Sequence, residues 1–121
     1  MQERTYNAID LFAGCGGLSE GFRQAGFNIV LANDIWGTAL DTLKSNHPDT
    51  ITICGDIADP KVKDQIIEIS NGTIDIIVGG PPCQAYSLAG RRDPNDPRGK
   101  LFAQYVDIVD RVRPKAFVME N

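Results

Sequence analysis

The sequence predicts an α/β domain built on a doubly wound parallel sheet, and three observations support this prediction. Short β-branched runs alternate along the chain with segments of helical spacing, as in repeated strand–helix–strand units. Turn residues close these runs, so the elements are short and separate. At 121 residues and 42% hydrophobic composition, the chain can form at most one domain with a buried core. Right-handed connections would then place helices on both faces of the sheet.

Five strands and four helices are expected in strict alternation. The strands are the apolar, β-branched runs at 6–12, 27–32, 51–54, 74–78 and 116–119. The helices are the segments with apolar residues three and four apart, at 18–25, 38–46, 60–70 and 101–112.

Local signals define several helix ends. Gly26 follows the first helix, and Pro48 stops the second because a residue before proline disfavours helical backbone. Asp59 is expected to cap the third helix, with Pro60 at its first position. Pro114 terminates the fourth.

The residues that stand out chemically lie at or just after strand ends. In a doubly wound sheet, ligands bind outside the carboxyl ends of the strands, near the point where the strand order reverses. Each of the five strands contributes one such residue, in order Asp10, Asp34, Asp56, Cys83 and Glu120. The sequence therefore predicts one ligand site along this edge of the sheet.

The glycine loop after the first strand suggests half of that site. Gly14, Gly16 and Gly17 precede a helix, so backbone N–H groups and a helix N-terminus can approach a ligand there. Ser19 occupies the place of the third glycine of a dinucleotide-binding fingerprint. Asp34 can hold ribose hydroxyls, and Asp56 can accept a hydrogen bond from an amino group such as that of adenine. Each acid alone is also a common turn residue; together with the loop they favour a nucleoside-bearing ligand.

The loop Gly79-Gly80-Pro81-Pro82-Cys83-Gln84 suggests the other half. Its glycines allow close backbone approach and its prolines fix φ, so it is stiff and presents one thiol past a strand end. Taken alone, the loop fits a buried structural cysteine as well as a positioned nucleophile. With Glu120 on a neighbouring strand end, the thiolate can add to a small ring while the acid protonates a ring nitrogen.

Composition and charge argue against several classes of protein. Three separate cysteines and one histidine indicate neither a disulfide framework nor a metal site. There is no apolar run of membrane-spanning length and no signal-peptide core, so the expected compartment is the cytoplasm and no membrane partner is expected. The net charge of −4 argues against binding of a phosphate backbone by this stretch alone.

The motifs together resemble the N-terminal part of a DNA cytosine-5 methyltransferase. The run from Asp10 to Ser19 is similar to the family's first motif, and the segment from Gly79 to Gln84 with Tyr86-Ser87 is similar to its catalytic motif. Arg98 to Phe102 resembles the family's next segment after the catalytic motif, and Glu120-Asn121 resembles the start of its Glu-Asn-Val motif. The resemblance spans nearly the whole chain and implies a Rossmann-like, S-adenosylmethionine-dependent methyltransferase fold.

The resemblance also implies roles for individual residues. Cys83 would attack carbon 6 of a flipped cytosine while Glu120 protonates its ring nitrogen, which activates carbon 5 for the methyl group. The implied cofactor-binding residues are Phe12, Gly14, Gly16, Gly17, Asp34, Ile35, Asp56, Ile57, Pro81 and Leu101. The implied substrate-binding residues are Gln84, Ser87, Arg98 and Asn121. Asp34 replaces the family's more frequent glutamate and is one methylene shorter, and Ala85-Tyr86 replaces a more frequent Gly-Phe pair.

The expected whole is a restriction–modification enzyme of which residues 1–121 form the N-terminal part of the catalytic domain. The later strands, the target-recognition domain and the C-terminal motifs do not occur in this sequence, so the isolated stretch is expected to be inactive and DNA to bind through the full-length protein. Three alternatives stay open. They are an RNA cytosine-5 methyltransferase of the same family, a non-catalytic nucleotide-binding module and a dehydrogenase-type domain, although hydride transfer does not call for the Pro-Pro-Cys loop.

Overall fold

A computed structural model describes residues 4–82 and 97–120, with the side chains of 97–99 excepted. It contains one five-stranded sheet in which every neighbouring pair of strands is parallel. The strands are β1 (Asn7–Leu11), β2 (Asn28–Asp34), β3 (Ile51–Cys54), β4 (Ile76–Gly79) and β5 (Ala116–Met119). Their order across the sheet is β3-β2-β1-β4-β5. The predicted doubly wound parallel sheet is confirmed.

The helices follow the predicted alternation. They are α1 (Gly17–Gln24), α2 (Gly37–Asn46), α3 (Pro60–Ser70) and α4 (Pro97–Val112). The Asp59 side chain caps α3 by accepting a hydrogen bond from the Lys61 N–H at 2.9 Å, as expected. Helix α4 begins at Pro97 rather than at Leu101, which corrects the predicted bound. Proline is well tolerated in a first helical turn, so the polar start of α4 hid a helix that the apolar spacing could not detect.

The two faces of the sheet are covered by different helices. Side chains alternate along β1, so Ile9 and Leu11 enter a core shared with α3 and α4, whereas Ala8 packs in a cluster with Phe22 of α1. Helix α2 adds a third cluster around Leu40 and Leu43. The chain winds outward from β1 to β3 and then returns to β4 and β5 on the other side, so the strand order reverses between β1 and β4.

Tyr105 of α4 forms hydrogen bonds to β4 and β5, the two strands whose ends lead to the second half of the predicted site. Its side chain is fully buried. Its hydroxyl donates to the carbonyl oxygen of Val118 at 2.8 Å and to that of Ile77 at 3.1 Å. Burial raises the pKa of this phenol well above its usual range, so the hydroxyl stays a donor. The ends of β4 and β5 are thereby held side by side.

Candidate active site

A cavity of about 330 Å³ opens at the carboxyl ends of the strands. This volume lies at the lower end of the range of roughly 300–1,000 Å³ that small-molecule sites occupy. Residues from the ends of β1, β2, β3 and β4 and from α4 line the cavity: Phe12, Asn33, Asp34, Ile35, Gly55, Asp56, Ile57, Gly80, Pro82 and Leu101. Six of the predicted cofactor-binding residues meet there, namely Phe12, Asp34, Ile35, Asp56, Ile57 and Leu101.

Phe12 enters the cavity from a strained backbone. Its φ is +54°, a left-handed conformation that is unusual for a bulky residue and costs on the order of 1–3 kcal/mol. The next residue fixes the loop, because the Ala13 N–H donates to the Asn33 carbonyl at 3.0 Å. Strain of this kind concentrates at ligand sites, so the conformation of Phe12 supports a binding role for the loop.

Asp34 braces the rim of the cavity with both carboxylate oxygens. Oδ2 accepts the Gly14 N–H at 2.9 Å, and Oδ1 accepts the Trp36 N–H at 2.8 Å. Although it is one methylene shorter than a glutamate, Asp34 therefore connects the glycine loop to the end of β2. Each oxygen keeps a free lone-pair direction, so the carboxylate can still accept a hydrogen bond from a ligand hydroxyl.

Asn33 is a site residue that the sequence interpretation missed. It is buried in the cavity wall, and its Nδ2 donates to the carbonyls of Ile53 at 2.7 Å and Gly55 at 3.2 Å. These bonds hold the turn after β3, where Asp56 is exposed and Ile57 is buried in the core. A polar residue directly after an apolar run and just before a candidate ligand residue was the available signal. Gly55, Gly80 and Pro82 were likewise not assigned.

The predicted glycines of the first loop do not line this cavity. Gly14 reaches it only through the Asp34 carboxylate, whereas Gly16 and Gly17 line a second, more open depression of about 580 Å³ between α1 and α2. Gly16 has a φ of +99°, and a Cβ there would lie 3.0 Å from Leu43 Cγ. The structure thus gives Gly16 a packing role, and its assignment to the cofactor remains a prediction.

The loop after β4 starts with two glycines in different surroundings. A Cβ on Gly79 would lie 2.5 Å from the Leu11 carbonyl oxygen, so this glycine permits β1 and β4 to lie side by side. A Cβ on Gly80 would lie 2.8 Å from Oε2 of Glu120. Pro82 lines the cavity, whereas Pro81, the residue assigned from the sequence, is buried and is not among the lining residues.

Glu120 lies next to this loop because the β4–β5 ladder continues one residue past β5. Its N–H donates to the Gly79 carbonyl at 2.8 Å. The residue is exposed, with Oε2 facing Gly80. The acid predicted from the fifth strand end is therefore beside the start of the cysteine loop.

Asp10, the first of the five predicted strand-end residues, is not among the residues that line the cavity. It is fully buried in β1, where Ser19 Oγ donates to its Oδ2 at 2.6 Å, while Oδ1 has no partner among the described residues. Burial raises the pKa of this carboxyl from 3.8 to about 6, although hydrogen bonds from Ser19 oppose the rise. Its negative charge lies near the N-terminus of α1, whose capping position is held by Gly16 without a side-chain bond.

Several predicted site residues lie outside the described part of the chain. These are Cys83, Gln84, Ser87 and Asn121, together with the side chain of Arg98. Across residues 4–82 and 97–120, no group of three His, Cys, Asp or Glu side chains is arranged to hold a metal ion. No helix in the same ranges is long and apolar enough to cross a membrane.

Comparison with known proteins gives consistent matches. A sequence profile of the C-5 cytosine-specific DNA methylases matches residues 6–121. Type II methyltransferase M.AgeI of Thalassovita gelatinovora is 47% identical over 115 residues, which are 93% of this chain and 27% of that protein. Type II methyltransferase M.HgiGI of Herpetosiphon aurantiacus is 45% identical over 113 residues, covering 93% of this chain and 87% of that protein.

A solved structure agrees in fold. A DNA modification methyltransferase encoded within an E. coli prophage superposes with a TM-score of 0.73 at 32% identity, covering 91% of this chain and 30% of that one. The chain thus spans less than a third of the length of this protein and of M.AgeI. The profile match over nearly all residues, with the identities above, shows that the chain belongs to the C-5 cytosine-specific DNA methylase family.

Proposed function

We propose that this chain is the cofactor-binding and nucleophile-bearing part of an enzyme that methylates carbon 5 of cytosine in DNA. One observation carries the proposal. The ends of four parallel strands line a single cavity, and the last of them leads through Pro82 directly to Cys83. A nucleoside pocket and a thiol on adjoining loops are the two parts that such a reaction requires.

The described residues fit S-adenosylmethionine, the cofactor expected for this family. Phe12, Ile35 and Leu101 offer apolar surface for an adenine ring, and the carboxylates of Asp34 and Asp56 stand at the rim to accept hydrogen bonds from its hydroxyl and amino groups. When bound, this cofactor supplies an electrophilic methyl group on a sulfonium. Gly14, Gly16, Gly17 and Pro81 remain assigned to it from the family resemblance.

The chain's own groups account for the activation of the cytosine. The Cys83 thiolate adds to carbon 6, forming a C–S bond, while Glu120 gives a proton to the ring nitrogen that receives the displaced electron pair. The ring then has enamine character at carbon 5, which takes the methyl group. Loss of the carbon 5 proton to a base expels the thiolate, and the ring nitrogen returns its proton to Glu120, which restores the ring.

The whole protein is proposed to act as a Type II modification enzyme in the cytoplasm. Because the target cytosine is inaccessible within a duplex, it must be flipped out, and Gln84, Ser87, Arg98 and Asn121 are assigned to contacts with the substrate. Since the chain spans 27% of M.AgeI, we expect target readout to lie in other parts of such a protein and the isolated 121 residues to be inactive.

Covalent trapping tests the proposed chemistry in the full-length protein. Duplex DNA carrying 5-fluorocytosine should form a stable adduct in the presence of S-adenosylmethionine, because fluorine at carbon 5 blocks the final loss of a proton. C83A should form none, whereas C15A, which changes an exposed thiol away from the cavity, should still form it. Absence of an adduct in the unaltered protein would favour the non-catalytic module.

Two further measurements separate the remaining alternatives. Labelled methyl incorporation into tRNA but not into DNA would indicate the RNA methyltransferase. For the cofactor, calorimetry of the full-length protein is expected to show binding of S-adenosylhomocysteine but not of NAD. The reverse would indicate a dehydrogenase-type domain.

A further inference from the structure

The backbone conformation does not by itself call for a glycine at position 80. The glycines with a left-handed φ in the described residues are Gly14, Gly16, Gly26 and Gly72. Gly80 is not among them, so its φ does not require a glycine. A side chain at this position is limited instead by the space around it.

That space is occupied by the side chain of Glu120. A Cβ built on Gly80 would lie 2.8 Å from Glu120 Oε2 and 4.0 Å from its Cδ, and the nearest main-chain atom is the Glu120 carbonyl oxygen at 3.6 Å. All three of the nearest atoms thus belong to one residue. At Gly79, by contrast, the nearest atom is a main-chain oxygen of a different strand, that of Leu11.

Side chains at positions 79 and 80 would therefore have different effects. Main chain held in a sheet cannot move aside, so Gly79 is required by the fold. The carboxylate of Glu120 is the free end of a flexible, exposed side chain, so it can move away from a new methyl group at small cost in stability. A side chain at position 80 would leave the fold intact and displace the acid.

We propose that Gly80 is a positioning residue that sets where the Glu120 carboxylate stands. The main chain of Glu120 is already fixed by its hydrogen bond to the Gly79 carbonyl at 2.8 Å. The bare backbone of Gly80 then lets the carboxylate lie against the start of the cysteine loop, at the edge of the cavity that Gly80 also lines. The catalytic consequence rests on the proposed function, in which Glu120 is the proton donor.

The kinetic test is a cycle of variants in the full-length protein. G80A should lower kcat by about 100-fold, the loss expected when a reacting group is displaced by roughly 1 Å, with the KM for S-adenosylmethionine nearly unchanged. In the E120D background the carboxyl is one methylene shorter and clear of position 80, so G80A should cause no additional loss. G21A is the matched control, because Gly21 is an exposed residue of α1 with no atom within 4 Å of its Cβ position.

Two kinetic outcomes would overturn the inference. The first is an equal loss of kcat from G80A in the unaltered and the E120D backgrounds. The second is a rise in the KM for the cofactor with kcat unchanged, which would mean that Gly80 only lines the cavity. Carbon-13 NMR of labelled glutamate provides a readout that does not depend on turnover. The Glu120 carboxyl resonance should shift in G80A and not in G21A, and an unshifted resonance in G80A would refute the placement.

Failure of the proposed function would give a different result from failure of the inference about Gly80. If the unaltered protein and G21A transfer no methyl group to cytosine, the proposed function is wrong. The NMR comparison then still decides whether Gly80 places the Glu120 carboxylate.

Discussion

The buried carboxyl of Asp10 allows a quantitative prediction about stability. Replacing it by asparagine keeps the shape and the acceptor for Ser19 Oγ, and it removes the charge that burial disfavours. The amide nitrogen of D10N would take the place of Oδ1, which has no hydrogen-bond partner among the described residues, so no existing bond is lost there.

The size of the effect follows from the pKa of Asp10. A rise from 3.8 to about 6, at about 1.4 kcal/mol per pKa unit, means that ionised Asp10 destabilises the fold by about 3 kcal/mol relative to its neutral form. A raised carboxyl pKa gives stability that is present at low pH and is lost as the pH rises through about 6. D10N should therefore gain about 1 kcal/mol over the unaltered protein near pH 4.5 and about 3 kcal/mol near pH 7.5.

Urea unfolding across this pH range measures the difference directly. D64N, which changes an exposed carboxyl on α3, is the control for loss of one surface charge and should show no comparable growth of the difference with pH. The prediction fails if D10N is less stable than the unaltered protein near pH 7.5. That result would mean that Ser19 and the N-terminus of α1 stabilise the anion by more than its burial costs.

Two other substitutions test the structural roles of site residues. G79A should destabilise the fold by about 3 kcal/mol or more, because the new methyl group meets the Leu11 carbonyl oxygen and Tyr105, whereas G21A should raise stability by about 1 kcal/mol; equal urea midpoints for the two would contradict this. D34N places an amide donor opposite the N–H of Gly14 or Trp36 and should cost about 1–3 kcal/mol. Calorimetry of the full-length D34N protein should also show weaker binding of S-adenosylhomocysteine, and unchanged affinity would show that Asp34 does not support the site.

The fold was predictable because its signals are local. Alternating apolar runs and helix-ending residues located every element, and Asp59 with Pro60 placed the start of α3 at its observed position. The start of α4 was missed because its first turn carries no apolar residue to reveal the spacing. Periodicity detects a helix only where the helix faces a core.

The site was predictable only in outline, since strand ends in a parallel sheet converge whatever their residues. That rule predicted that Asp34 and Asp56 lie at one cavity, and the family resemblance added Leu101, but neither could reveal which side of a loop faces the cavity. Pro82 faces the cavity while Pro81 is buried, and adjacent prolines carry no periodic signal that would separate them. Asn33 acts through contacts with residues 20 and 22 positions away, which no short motif contains.

The carboxyl ends of β4 and β5 show how closely the fold and the proposed chemistry are joined. Glu120 follows the last residue of β5, and its N–H extends the parallel ladder by one bond to the Gly79 carbonyl. Its position along the strand is therefore set by sheet register, which Tyr105 reinforces by bonding to both strands. A register shift of one residue would turn the acid to the opposite face of the sheet. Glu120, the proposed proton donor, is thus positioned by sheet pairing, and in the proposed arrangement Gly80 sets only the final placement of its carboxylate.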